Sequence, residues 1–288
     1  MPELYSHSRL ASFEDCPKKF QYRYVLRIPS ESESIEGFMG KRVHEVLERL
    51  YVFAGRGLVP SLRRVLERYR QLWESAYDAA RVRIVRAENA PAWYRERGEH
   101  CLTNYYRRHY PFDAEETLGV EERVTFSLDE AGRYLIQGVV DRIARGRDGA
   151  LEIHDYKTGR RTPPQEEVDA DRQLALYQIG VAGRYPVAGE EPVRLVWHYV
   201  QSGSTRTSTR SEAQLEDVRR ATMELIDRVR AEERFGPRPG PLCRWCEFSE
   251  ICPASAAREA GAAPARRPLA DAGPAPEPPA AAGQLPLL

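Results

Sequence analysis

Hydrophobic positions recur at helical spacing through the first third of the chain. Apolar residues three or four positions apart predict helices over residues 8–27 and 37–54, and the same pattern continues from about 61 to 109. From about 118 to 158 apolar and polar residues alternate, as they do in strands, on both sides of the turn sequence RGRDG. The segment RLVWHYVQ, residues 194–201, predicts a further strand.

Two more helices are predicted, in DRQLALYQIGVAGRY and in the amphipathic SEAQLEDVRRATMELIDRVRAEERF. After Cys252 the chain turns to Ala, Pro and Gly, a composition that cannot bury enough apolar surface to fold. We therefore divide the chain into a helical region (1–110), an α/β region (111–235), a cysteine-bearing segment (236–256) and a disordered tail (257–288).

Composition indicates a globular protein with one substantial core, since 42% of the 288 residues are hydrophobic and 30% are charged. We expect a cytoplasmic protein without a membrane partner, because neither an apolar run of about 18 residues nor a signal-peptide pattern is present. Residues 1–110 hold 20 Lys and Arg against 14 Asp and Glu, and residues 111–240 hold 19 against 24. A basic first region followed by an acidic second region suits phosphate and metal chemistry, although ordinary surface variation gives similarly uneven charge distributions.

The stretch LEIHDYKTGR, residues 151–160, places charges at the end of an apolar strand. Because side chains alternate along a strand, Asp155 and Lys157 share the face of Leu151 and Ile153. An apolar face that ends in two ionic residues predicts a functional site. The alternative is a surface ion pair beside a turn.

The preceding hairpin brings a second carboxylate to this place. If residues 147–149 form a three-residue loop with Gly149 in the left-handed conformation, Asp141 faces Asp155. Two carboxylates at strand spacing repel each other unless a cation lies between them, and their oxygens suit magnesium. Lys157 would point into the same space and stabilise developing negative charge. A register slip of two residues, which would separate the acids, is the alternative.

The paired segments GVVDRIA and IHDYKTG resemble the motifs of PD-(D/E)xK nucleases, specifically the RecB-like branch that includes CRISPR-adaptation exonucleases and AddB-type helicase-nuclease subunits. The resemblance extends to SRLASFEDCPKKFQYRYVLRIP, to MGKRVHEVLERL, to RQLALYQ and to the C-terminal cysteines. It implies an α/β fold with a restriction-endonuclease-like core. In that fold a central mixed sheet is flanked by helices, with a helical N-terminal region and an iron-sulfur cap.

The resemblance also implies roles for individual residues. Magnesium or manganese would be held directly or through water by His44, Asp141 and Asp155, with the Tyr156 carbonyl as a further ligand. Lys157 would assist the attack on phosphate. Gln173 and Tyr177 would line the active site and touch the DNA backbone; they stand four residues apart, on one helix face.

Two questions about the site stay open at this point. Taken alone, His44 in VHEVLERL is typical of a core or boundary residue, and only the resemblance makes it a ligand. Either Glu121 or Glu122 could add a further acid, and the sequence does not decide which one faces the site.

Four of the five cysteines form a pattern. Cys243, Cys246 and Cys252 have two and then five residues between them, and Cys16 lies far upstream. Such spacing is compatible with zinc or redox chemistry. The resemblance implies a 4Fe-4S cluster that joins both ends of the fold. The fifth, Cys101, is predicted to be a small core residue.

The basic and aromatic stretch KKFQYRYVLR predicts contacts with single-stranded DNA. The candidate contacts are Lys18, Lys19, Arg23 and Arg27. The alternative is a helix that packs Phe20 inward and leaves these charges in solvent.

We therefore expect a magnesium- or manganese-dependent DNA exonuclease that acts in repair or recombination. The chain has no GxxxxGK phosphate loop, so any ATP-driven unwinding would come from a helicase partner. The alternatives are a CRISPR spacer-acquisition nuclease that works with adaptation proteins, and a DNA-binding or assembly module that does not cleave.

The last residues, GQLPLL, resemble the peptides with which bacterial DNA enzymes bind the sliding clamp. The resemblance rests on Gln284, Leu285, Leu287 and Leu288, at the end of an Ala- and Pro-rich tether. An unselected hydrophobic end is the alternative.

Overall fold

The computed structural model describes residues 3–30, 32–185 and 192–255. The predicted tail, including the four candidate clamp-binding residues, lies outside these ranges. The helices and strands occur in the order β1 (Leu4–Tyr5), α1 (His7–Asp15), α2 (Pro17–Phe20), β2 (Glu33–Ser34), α3 (Ile35–Ala54), α4 (Leu62–Ala76), β3 (Val82–Arg83), α5 (Pro91–His109), β4 (Glu115–Ser127), β5 (Leu135–Gly146), β6 (Leu151–Lys157), α6 (Gln165–Asp169), α7 (Arg172–Val181), β7 (Arg194–Tyr199), β8 (Ser204–Ser208) and α8 (Glu212–Ala231).

The central sheet is mixed. β5 pairs antiparallel with β4 and with β6, and its first two residues pair in parallel with β1. β6 then pairs in parallel with β7, and β7 pairs antiparallel with β8. The predicted α/β fold with a mixed central sheet is confirmed.

Helices cover both faces of this sheet. One apolar core joins the sheet residues Ile153 and Trp197 to α1, α7 and α8, with Leu10, Leu174 and Leu225 all but fully buried. The second core lies among α3, α4 and α5 and reaches the other face of the sheet at Tyr156. The ends of the central strands are therefore enclosed by α3 on one side and α7 on the other.

The predicted single helix over residues 8–27 is wrong, because the chain breaks at Cys16. Cys16 has an extended backbone, with φ −161° and ψ 108°, and a new helix begins at Pro17. Proline lacks the N–H that would continue a helix, and it disfavours helical backbone in the residue before it. After α2 the chain makes a π-helical turn over Gln21–Val25.

The predicted helical pattern from 61 to 109 is interrupted as well. α4 ends at Ala76, and α5 begins with Pro91 in its first turn. Between them, Val82 and Arg83 pair with β2 in a two-stranded sheet. The helical reading failed here because pairing between distant segments overrides local periodicity.

Candidate active site

The hairpin between β5 and β6 has the predicted register. Gly149 is left-handed, with φ 88°, and the Gly146 N–H donates to the Ala150 carbonyl at 2.9 Å. Residues 142–145 pair with residues 151–154 in the predicted alignment. This local turn chemistry sets which side chains of the two strands approach each other.

The two strands separate immediately beyond this ladder. Pairing with β5 stops at Arg142 opposite His154, whereas β6 stays paired with β7 as far as Lys157 opposite Tyr199. The backbone of Tyr156 is therefore released from β5 in the centre of the sheet. Asp141, the residue before Arg142, lies at the mouth of this gap.

Side chains from β5 and α3 satisfy the released backbone of Tyr156. Its N–H donates to Asp141 Oδ2 at 2.8 Å, and its carbonyl accepts from His44 Nε2 at 2.8 Å. The other ring nitrogen, His44 Nδ1, lies 3.3 Å from Asp141 Oδ1. These contacts fix the orientation of both side chains, and a carbonyl oxygen keeps a second lone pair for a cation.

Asp155, Lys157 and Gln173 form a second group of bonded side chains. Lys157 Nζ lies 2.8 Å from Asp155 Oδ2 and donates to Gln173 Oε1 at 2.7 Å. Gln173 Nε2 donates to Asp155 Oδ1 at 2.9 Å. Apart from the ion pair, Asp155 Oδ2 receives no hydrogen bond from the described residues, so this buried oxygen can accept a cation.

Gln173 reaches the site from the first turn of α7, where Asp171 caps the helix. Tyr177, one turn later, is buried against β5 and faces the backbone of Gly138. A β-carbon at Gly138 would come within 2.4 Å of the Tyr177 ring, so only glycine leaves room for this ring. The packing holds the start of α7, and thus Gln173, over the strand ends.

Glu121, rather than Glu122, is the further acid of the site. The pairs Val120 with Arg142 and Glu122 with Val140 place Glu121 across from Asp141. Glu121 has φ 47°, a strained value for a non-glycine residue. Glu122 turns away and forms an ion pair with Arg184.

Three side chains of this region are arranged as metal ligands are. His44, Glu121 and Asp141 each offer one ligand atom, and these atoms lie within 4.8 Å of one another. An imidazole nitrogen and carboxylate oxygens suit magnesium or manganese, and no cysteine belongs to this set. The residues therefore fit a hard divalent cation.

Burial and neighbouring charge shift the pKa values of these groups. Burial opposes a charged His44, but the hydrogen bond and charge of Asp141 prevail and raise the pKa of His44 to about 9. Burial raises the pKa of Glu121, and the charge of Asp141 adds to this effect. Burial raises the pKa of Asp155 too, against the opposing charge of Lys157. Closely spaced acids of this kind are stabilised by a bound cation.

The four patterned cysteines come together elsewhere in the molecule. Cys16, Cys243, Cys246 and Cys252 all line one cavity of about 310 Å³. The backbone N–H of Arg238 donates to the sulfur of Cys16 at 3.4 Å, and that of Gly240 donates to the sulfur of Cys243 at 3.3 Å. None of the four forms a disulfide bond within the described residues, and Cys101 is fully buried away from this cavity, in the core of α3, α4 and α5.

The candidate DNA contacts lie near these cysteines. Lys19 and Arg23 both pair with Glu247, which follows Cys246, and Lys18 donates to Gln21. Arg27 is exposed and has a left-handed backbone, with φ 53°. Phe20 is buried, as the packing alternative required, but the charges around it face outward. The burial of Phe20 matches the packing alternative, and contacts between these four basic residues and DNA stay a prediction.

Clustered carboxylates, a histidine and a lysine at the centre of a mixed sheet define a candidate metal-dependent hydrolase. The chain belongs to the PD-(D/E)XK nuclease superfamily, because the model of that family matches residues 5–253. Nucleases of this superfamily use divalent metals, which agrees with the ligand set described above. No helix in the described part of the chain has the length and hydropathy needed to cross a bilayer.

The solved structures that are similar to this chain include the following two. The protein SSO0001 has 17% sequence identity and a TM-score of 0.39, covering 88% of this chain and 86% of its own. A candidate exonuclease from Eubacterium rectale has 11% identity and a TM-score of 0.47, covering 94% of each chain. No match was found among curated proteins.

Proposed function

We propose that the protein is a divalent-metal-dependent DNA exonuclease of the RecB-like branch, acting in DNA repair or recombination. One observation carries the proposal: Asp155, Lys157 and Gln173 are bonded to one another beside the His44, Glu121 and Asp141 ligand set. If Asp155 and Lys157 formed an ion pair that only stabilised the fold, neither Asp141 nor His44 would be needed beside it. A binding module that does not cleave has no use for a partly exposed lysine bonded to a buried acid.

Each side chain has a defined task in this proposal. Asp141, Asp155 and His44, with Glu121 and the Tyr156 carbonyl nearby, would hold magnesium or manganese. The metal would polarise the scissile phosphate and lower the pKa of a bound water. Lys157 stabilises the negative charge that develops on the phosphate. Gln173 fixes the positions of Lys157 and Asp155 relative to each other, because it accepts a hydrogen bond from Lys157 and donates one to Asp155.

We propose that the four cysteines hold a 4Fe-4S cluster. They line one cavity, and backbone N–H groups point at two of the sulfurs, as they do around iron-sulfur clusters. The cluster would join the break between α1 and α2 to the C-terminal segment. Its contribution to stability would come from closing a loop of more than 200 residues, between Cys16 and Cys243.

Two partners belong to the proposal. A helicase would supply unwinding, since the chain carries no phosphate loop. The sliding clamp would bind Gln284, Leu285, Leu287 and Leu288, with a dissociation constant on the order of micromolar. A peptide of the last ten residues, titrated against the clamp, tests this. Equal binding after Gln284→Ala and Leu287→Ala would contradict it.

The nuclease proposal is tested by incubating the pure protein with end-labelled single-stranded and duplex DNA. Magnesium, manganese and a chelator are compared. We expect shortening from an end with either metal and none with the chelator. DNA binding without cleavage in any metal would favour the module that does not cleave.

A further inference from the structure

A groove opens directly beside the candidate active site. It has a volume of about 360 Å³ and lies between α3, α5, the loop after Lys157 and the segment that carries the C-terminal cysteines. Thr158 and Gly159 line its near end, and Met39 lines it from α3, five residues before His44. Five residues of helix rise about 7.5 Å, and Thr158 directly follows Lys157, so the groove begins next to the site.

The groove carries more arginines than carboxylates, since Glu36 is the carboxylate among its lining residues. Arg86, Arg97 and Arg160 all line it, and none of the three forms an ion pair with a carboxylate of the described residues. The pKa of Arg97 is lowered by burial and by the charges of Arg160 and Arg86. Clustered guanidinium groups that form no ion pair repel one another, so a bound anion would stabilise them.

Aromatic rings alternate with these charges. The guanidinium of Arg97 lies over the Trp93 ring, 4.5 Å from its centroid, and that of Arg86 lies 5.9 Å from the centroid of Trp245. Trp245 is held in place, because its Nε1 donates to Glu36 at 3.3 Å. Trp93 and Trp245 are both partly exposed in the groove. Alternating cations and aromatic faces match the alternation of phosphates and bases in a nucleic acid strand.

We propose that this groove binds the unpaired DNA strand next to the scissile phosphate, with phosphates on Arg86, Arg97 and Arg160 and bases against Trp93 and Trp245. The inference rests on the proposed nuclease function and specifies its substrate. Bases in a duplex are stacked on their neighbours and present only their edges, so aromatic faces of this kind select unpaired nucleotides.

The path continues beyond Trp245. This residue also lines a second basic cavity, which contains Lys19, Arg23 and Arg83. Two of the DNA contacts predicted from the sequence therefore share a cavity with Trp245, where Glu247 pairs with both. A strand that passes Trp245 would meet them next.

Binding to the full-length protein tests the proposal. The probes are fluorescein-labelled oligo(dT) and a blunt hairpin duplex, followed by anisotropy in a chelator so that nothing is cleaved. We expect Arg97→Gln to weaken oligo(dT) binding about tenfold and to reduce the salt slope by about one. Trp93→Leu should weaken it by about five- to a hundredfold, and Trp93→Phe should retain most of the affinity. Duplex binding should change less than twofold in all three.

A matched control and a folding control accompany these variants. Arg63→Gln removes an exposed arginine that pairs with Glu67 on α4, outside the groove, and should bind oligo(dT) as the wild type does. Unchanged thermal melting excludes a folding defect, and Trp245→Phe provides a second aromatic exchange. Wild-type oligo(dT) affinity in folded Arg97→Gln and Trp93→Leu, or equal losses on both probes, would overturn the proposal.

The outcome is separable from the proposed nuclease function because no metal is present. A wild-type protein that cleaves DNA while the groove variants bind oligo(dT) normally would refute the groove and leave the nuclease proposal standing. If the groove variants lose oligo(dT) binding but the wild-type protein never cleaves DNA, the groove proposal would stand and the nuclease proposal would be refuted.

Discussion

The Tyr156 N–H donates to the Asp141 carboxylate at 2.8 Å across the gap between β5 and β6. In a continuous sheet this N–H would pair with the backbone of the next strand. Here the strands have separated, and a side chain takes the place of the missing backbone acceptor. The same carboxylate faces His44 with its other oxygen, so the opening of the sheet and the geometry of the ligand set depend on one residue.

Substitutions of Asp141 should separate these two roles. In Asp141→Asn the side-chain oxygen can still accept from Tyr156, but its negative charge is lost. We expect near wild-type stability and a loss of cleavage of about a hundredfold or more. In Asp141→Ala the buried N–H loses its partner, which should cost about a further 1–3 kcal/mol of unfolding free energy. Chemical denaturation measures the effect on stability, and single-turnover cleavage measures the effect on catalysis. An Asp141→Asn variant that cleaves within tenfold of wild type would contradict a catalytic role for the negative charge of Asp141.

Metal binding should depend on His44 and Glu121 but not on Glu122. His44→Gln and Glu121→Gln each remove a candidate ligand, and we expect manganese affinity to fall about 10- to 100-fold. Glu122→Gln is the matched control, because Glu122 pairs with Arg184 outside the set. Calorimetric titration of manganese into DNA-free protein gives the affinities. Equal losses in all three variants would contradict the assignment of Glu121.

The cysteine cavity predicts a coloured, iron-containing protein. Anaerobically purified wild type should be brown and contain about four irons per chain. Cys243→Ala should lose colour, iron and thermal stability together, whereas Cys101→Ala should keep its iron, because Cys101 lies in another core. Iron analysis and visible absorption test this. Stoichiometric zinc in protein made with abundant iron would contradict it.

A buried histidine network behind the site should make the fold acid-sensitive. Arg142 Nη2 donates to His154 Nδ1 at 3.1 Å, and His198 Nε2 lies 2.9 Å from the same nitrogen. Because a ring nitrogen that accepts a hydrogen bond carries no proton, His154 must stay neutral to keep these contacts. Burial lowers the pKa of His154 and of His198 well below 6.5, and it lowers the pKa of His109 to about 4. Arg142 is itself fully buried and adds to each effect.

The sign of the pH effect follows from these shifts. Between the unfolded value of about 6.5 and a folded value near 4, the unfolded chain binds more protons, so stability falls as the pH falls. Each neutral histidine contributes up to about 1.4 kcal/mol per pH unit. Denaturation at pH 7, 6 and 5 should show this loss, and His109→Gln should show a smaller slope. A flat stability profile between pH 7 and pH 5 would contradict the account.

Local chemistry explains which parts of the site could be predicted from the sequence. The hairpin register follows from a left-handed glycine in a short loop, and the alternation of side chains then places Asp155 and Lys157 together. The choice of Glu121 could not be predicted, because it depends on an irregularity in β4 between Thr117 and Gly119 that shifts the register. The signal that could have indicated a break is the glycine itself.

Features that depend on distant contacts were missed. β8 has the polar sequence STRTS and becomes a strand only because β7 offers an edge to pair with. The groove joins Trp93, Arg160 and Trp245, which are far apart in the sequence and carry no shared motif. The break in the helix at Cys16 could have been predicted from Pro17. Its effect on the backbone of the preceding residue outweighs the helical spacing of the apolar residues around it.

The most direct test of the central claim is the single-turnover cleavage rate of Asp155→Asn and Lys157→Gln on end-labelled DNA with magnesium or manganese. Asparagine and glutamine keep hydrogen-bonding groups at these two positions, so both variants should fold and bind DNA in a chelator as the wild type does. The account predicts that each variant loses cleavage by at least about a hundredfold. Wild-type cleavage by folded Asp155→Asn, free of contaminating nuclease, would contradict it.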